Sequence, residues 1–125
     1  MDLPTIEEGS VADGLYEFRD YHFRRDLWDE YKRWWEAALP YFSDRFDLLG
    51  LWFDSGIPAR IGGTDPMDQP HGSANVTWIL RWDDIETRDA LWSAMWDDPE
   101  WLDLWSRHPD EDGYHQMSVR FMDRA

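Results

Sequence analysis

Gly14-Leu15-Tyr16-Glu17-Phe18-Arg19-Asp20-Tyr21-His22-Phe23 sets Tyr16 and Phe18 against Glu17 and Arg19, the period of two that marks a half-buried strand. From Asp26 the period changes. Leu27, Trp28, Tyr31, Trp34, Trp35 and Ala38 recur at three and four residues, with Asp29, Lys32, Arg33 and Glu36 on the other side. That spacing predicts an amphipathic helix with Asp26 as its N-cap and its end at Pro40. The short apolar run 46–53 predicts a second strand, in which Gly50 allows a bulge or a close approach. Residues 54–73, rich in Gly and Pro, predict a long loop that carries His71. Residues 75–82 read as strand three. Asp83 or Asp84 caps a second helix that places Ile85, Arg88, Leu91, Trp92, Met95 and Trp96 on one face, Pro99 interrupts it, and 100–105 form a further short helix. A turn over 109–113 leads to strand four at 114–122. The order β-α-β-β-α-β predicts an α+β, ferredoxin-like protomer, a four-stranded antiparallel sheet with helices on one face.

The composition narrows the class. A length of 125 residues suits one domain, read as 14–125 behind a flexible acidic arm at 1–13. The net charge of −15 argues against nucleic acid and anionic membranes as partners, because their phosphates would be repelled. No apolar run approaches the length of a membrane span, and the N-terminus lacks the basic start and apolar stretch of an export signal, so a soluble cytoplasmic protein is expected. The absence of cysteine excludes disulfides, thiolate nucleophiles and cysteine-ligated metals.

Tyr16-Glu17-Phe18-Arg19-Asp20-Tyr21, a helix beginning shortly after it, Ala38-Leu39-Pro40 at that helix's end and Asp97-Asp98-Pro99-Glu100-Trp101 after the second helix together resemble the NIPSNAP family. The resemblance spans residues 14–123. Its Tyr-Glu-x-Arg-x-Tyr pattern is matched at Tyr16, Glu17, Arg19 and Tyr21, Phe18 replaces a more usual aliphatic residue, and the 54–73 loop is longer than the family's short turn. The resemblance implies a homodimeric α/β barrel, two ferredoxin-like protomers with their sheets together and helices outside. Related barrels include cofactor-independent monooxygenases, muconolactone-type isomerases and haem proteins, so it implies a fold and a dimer more than a reaction.

Two faces follow from the strand alternation. Tyr16, Phe18, Leu49, Leu51, Phe53, Met117, Val119 and Phe121 are expected beneath the helices. Glu17, Arg19, Tyr21, Trp52, Gln116, Ser118 and Arg120 are expected on the opposite, dimer-forming face. There Glu17, Arg19 and Arg120 are expected as an ion-pair network specifying the dimer; in a catalytic reading an Arg, Arg19 or Arg81, holds an anionic or enolate oxygen while Glu17 moves a proton.

Ten Trp in one small domain is far above ordinary usage. Helical and strand spacing assigns most of them to core packing. Trp52, Trp78 and Trp82 are the candidates for a ligand cleft, with Tyr21 beside them and Asn75 and Thr77 as polar anchors, suiting a planar, mainly apolar or polycyclic metabolite. His22 and His115 stand at strand ends where a cleft can open and are candidate acids or bases. No metal spacing joins the four histidines, so neither a metal nor a cofactor is expected. The leading functional expectation is a cofactor-independent isomerase, cyclase or monooxygenase. A non-catalytic interaction module and a haem protein stand behind it.

Overall fold

The structure, a computed structural model, describes residues 14–125, so the arm expected at 1–13 lies outside the described residues. The elements run β1 (Leu15–Phe23), a 3-10 turn (Arg25–Leu27), α1 (Trp28–Arg45), β2 (Asp47–Phe53), β3 (Val76–Trp82), α2 (Ile85–Met95), α3 (Pro99–Ser106) and β4 (Tyr114–Asp123). The sheet order is β2-β3-β1-β4 and every pairing is antiparallel, the ferredoxin-like arrangement expected from the element order.

Two details of α1 depart from expectation. Asp26 falls in the 3-10 turn and pairs with Arg24 (2.5 Å), so Leu27, without a side-chain cap, precedes the helix. The helix also passes through Pro40 to Arg45, and Tyr41 and Phe42 join Tyr31, Trp34, Trp35 and Ala38 in the core. Pro40 and Glu36 are both exposed, so the carbonyl that loses its i+4 donor lies on the watered side of the helix, where a missing bond is cheapest. Capping succeeds at the other helices. Asp84 accepts from Thr87 N (2.7 Å), and Asp98 accepts from Glu100 N (3.0 Å) while Pro99 opens α3. Asp98 also accepts the Tyr41 hydroxyl (2.6 Å) and faces Arg45 (3.6 Å), which ties the end of α1 to the start of α3.

The face assignment is inverted on β1. Glu17, Arg19, Tyr21 and Phe23 are buried together with Val76, Trp78, Leu80 and Trp82 of β3, under the helices. Register places Tyr16 and Phe18 opposite Arg81 and Ile79, on the open face. Hydrophobicity alone favours Tyr16 and Phe18 as the core set of β1; the reversal follows because Glu17 and Arg19 pair with one another inside and so are admitted to the core. Leu51 and Phe53 do lie on the helix side, opposite Trp78 and Val76, whereas Leu49 is on the open face, since the ladder shifts between Leu48 and Gly50. Gly50 serves both roles expected of it: it sits at the bulge, and a Cβ there would come within 2.5 Å of the Trp52 ring. Met117, Val119 and Phe121 share the helix side through their pairing with Tyr21, Arg19 and Glu17, but they stay exposed because β4 is the edge strand.

Residues 54–75 contain neither helix nor strand. Their end is fastened by Asn75, whose side chain accepts from Phe23 N (2.9 Å) and donates to Phe23 O (2.8 Å). Among the described residues no helix is long and apolar enough to cross a membrane.

Candidate functional site

Between the sheet and the helices lies a partly open cavity of about 110 Å³, with Arg19 and Trp78 in its floor and aromatic residues of α1, α2 and α3 around it. Seven of the ten tryptophans line it: Trp34, Trp35, Trp78, Trp92, Trp96, Trp101 and Trp105. Their packing is mainly edge-to-face, as for Trp35 against Trp78 (5.2 Å, 72°) and Trp34 against Trp35 (5.4 Å, 75°), which leaves ring edges and faces directed inward. Trp96 and Met117, both well exposed, mark its outer margin.

Beneath the cavity is a buried ionic cluster. Glu17, fully enclosed, accepts from Arg88 Nε (2.8 Å) and Nη2 (3.1 Å), from Trp82 Nε1 (3.0 Å) and from Arg19 Nη1 (2.5 Å). Burial alone would raise the Glu17 pKa, but the bonds from Arg88 and the charge of Arg19 outweigh it and hold the carboxyl below its usual range. Arg19 also donates from Nε to the Tyr21 hydroxyl (2.5 Å), and its guanidinium lies over the rings of Trp92 (4.6 Å) and Trp78 (5.4 Å). Burial keeps the Tyr21 hydroxyl protonated well above its ordinary pKa, despite the nearby Arg19. One carboxylate thus serves two guanidinium groups, and only Arg88 reaches a second acid, Asp89 on the surface (3.1 Å).

Donors exceed acceptors elsewhere in the wall. The indole N–H groups of Trp35, Trp78 and Trp101 are buried without a hydrogen-bond acceptor among the described residues. Those of Trp35 and Trp78 lean toward the Tyr31 and Tyr21 hydroxyls without reaching hydrogen-bond geometry. A buried donor left unpaired costs about 1–3 kcal/mol; the three nitrogens are closed off from the cavity space as well as from solvent, so they belong to the packed wall and not to its inner surface.

Of the residues singled out from sequence, the structure brings Arg19, Tyr21 and Trp78 to the cavity and Glu17 beneath it. Trp82 is buried beside Glu17 but does not line the cavity. Trp52, Thr77 and Arg81 belong to the open face: Trp52 is about half exposed, Thr77 donates to Asp20 (2.6 Å), and Arg81 faces Asp83 (3.3 Å) and Asp47 (3.7 Å). Arg120 pairs there with Asp20 (3.4 Å), not with Glu17. Asn75 is a backbone clamp, as described. His22 and His115 come together with His71 in a separate polar cleft at the strand ends, where the His71 and His115 rings stack (4.9 Å) and His22 Nε2 donates to Gly72 O (2.9 Å). No histidine lines the aromatic cavity, and among the described residues no cluster of His, Asp or Glu is arranged to hold a metal ion. Arg88 was missed as a partner of Glu17. Its position in the inward stripe of α2, beside Trp92, was the available signal.

The fold and cavity define a ferredoxin-like α+β protein with an internal aromatic site. Among solved structures it is similar to an uncharacterized NIPSNAP domain protein from Burkholderia xenovorans (20% identity, 89% of this chain and 94% of that one, TM-score 0.63). It is also similar to a NIPSNAP family protein of unknown function from Agrobacterium tumefaciens (17% identity, 90% and 89%, TM-score 0.67), and to a second from the same organism (14%, 96% and 92%, TM-score 0.67). The NIPSNAP resemblance read from the sequence is therefore met at the level of the fold. No protein-family model and no curated protein matches the sequence.

Proposed function

We propose that this chain is a NIPSNAP-like small-molecule-binding protein whose ligand occupies the aromatic cavity. The observation that carries this reading is the joining of seven indoles around one partly open space with the buried Arg19 in its floor. The size of the space narrows the ligand. Drug-sized ligands fill roughly 300–1,000 Å³, while a cavity of about 150 Å³ accepts benzene; about 110 Å³ suits a single planar ring or a group of that bulk, smaller than the polycyclic metabolite expected from sequence. Binding is better supported than proton transfer, because the four donated bonds on Glu17 leave it acting as a counter-ion. A cofactor-independent reaction at this site would have to draw its proton carrier from the ligand or from water.

Native mass spectrometry of protein purified gently from its own host tests the proposal. A retained adduct of low mass, lost on Trp78→Ala substitution, supports it; adduct-free protein whose indole fluorescence ignores a panel of single-ring compounds overturns it.

A homodimer is the second part of the reading. Phe18, Leu49, Ile79 and Met122 surround an apolar depression of about 290 Å³ on the open face, with Tyr16 at its margin and half-exposed Trp52 on the same face. A second copy laid sheet to sheet would cover it.

A further inference from the structure

We infer that the ligand of the aromatic cavity is a small planar monoanion, best met by an aromatic carboxylate, with its charge received by Arg19. This inference rests on the cavity-binding reading above and adds the ligand's charge to it. Arg19 is 7% exposed, and its Nε and Nη1 are committed to Tyr21 and Glu17. Among the described residues its Nη2 has no hydrogen-bond partner, although the residue lines the cavity. Glu17 is shared between Arg19 and Arg88, and Arg88 has Asp89 as a second acid, so the four groups balance and, among the described residues, Arg19 is the cation with no acid beyond the shared one. A guanidinium whose carboxylate is shared is stabilised by the ring faces around it only partly, and an anion placed at Nη2 would add a charge-assisted bond. The rings around the cavity offer apolar faces and Arg19 a donor, a pairing that favours an acceptor oxygen on a flat ligand and offers nothing to a cationic one. The wall volume admits one ring, and the net charge of −15 disfavours polyanions on approach, which together select a monoanion of single-ring size.

Titration calorimetry with benzoate and with its neutral analogue benzyl alcohol tests this on the full chain. Benzoate is expected to bind at least tenfold more tightly. Arg19→Met is expected to abolish that preference while keeping weak binding of the alcohol, with the fold seen by circular dichroism unaltered. Equal affinity for the two probes, or a benzoate preference that survives Arg19→Met, overturns the charge assignment and leaves the cavity reading intact. Binding of neither probe overturns both. Should Arg19→Met fail to fold, Arg19→Gln replaces it, and undiminished benzoate binding in that variant overturns the inference.

Discussion

Arg19 and Glu17 are two residues apart and bonded to one another, yet their removal has opposite expected results. Glu17→Gln takes the shared anion from two enclosed cations, and breaking a buried pair in this way costs roughly 3–5 kcal/mol. Arg19→Met leaves Glu17 with both bonds from Arg88 and the one from Trp82, so chemical denaturation should find it within about 1 kcal/mol of the parent. The lowered pKa of Glu17 adds an acid signature: its contribution is complete above the unfolded value near 4.5 and is lost as pH falls through the folded one. His108 gives a second. Burial among Trp34, Trp105 and Phe23 lowers its pKa to about 4, against a smaller opposing pull from Asp110. Its Nδ1 accepts from Asp110 N (3.1 Å), so Nε2 carries the proton and donates to Tyr114 (2.8 Å). A histidine held neutral when folded loses stability for the protein as pH falls from about 6.5, where the unfolded chain begins to take up the proton, to about 4. NMR should show the ring neutral at pH 5, and His108→Gln should flatten the stability profile between those limits.

Among the elements, β2 depends on its bulge. Gly50 permits the Trp52 ring to fold back over the backbone, and a methyl group at that position would meet the ring. Gly50→Ala should therefore leave the cavity unchanged while making Trp52 more accessible to acrylamide quenching, a change absent in the Trp52→Phe background. The periodicities of 2 and 3.6 were sufficient to place every strand and helix, because each is a local property of side-chain spacing. They were not sufficient to choose which side of β1 faces inward. Tyr16 and Phe18 look like core residues and Glu17 and Arg19 like surface residues until Arg88, seventy-one positions from Glu17, is known to complete the cluster. Pro40 misled for a similar reason, since its cost depends on whether its side of the helix is wet. The cavity was legible only as an excess of tryptophan: Trp78, Arg19 and Tyr21 were among the chosen residues, but Trp52, expected on the open face by alternation and found there, cannot line a cleft beneath the helices, and Thr77 and Arg81 share that face because they alternate with Trp78 and Trp82 along β3.

At the scale of the whole molecule, the two sides of the sheet have different work. The helix side holds the cavity, and the open side holds the apolar depression around Leu49 and Met122. If a second copy covers that depression, Leu49→Lys should shift the protein to monomer in light scattering while benzoate binding is retained; a parent chain that is monomeric at micromolar concentration would rule the sheet-to-sheet arrangement out. The shared carboxylate of Glu17 has a last consequence. A guanidinium that shares its one carboxylate inside the fold is a standing electrostatic load on the unliganded state, so evolution or design for heat resistance alone would tend to discard Arg19. Keeping it trades resilience for readiness. The empty protein is then its own thermal sensor, melting measurably higher when the site is occupied, by about 2.7 kcal/mol of linkage at a ligand concentration one hundred times the dissociation constant.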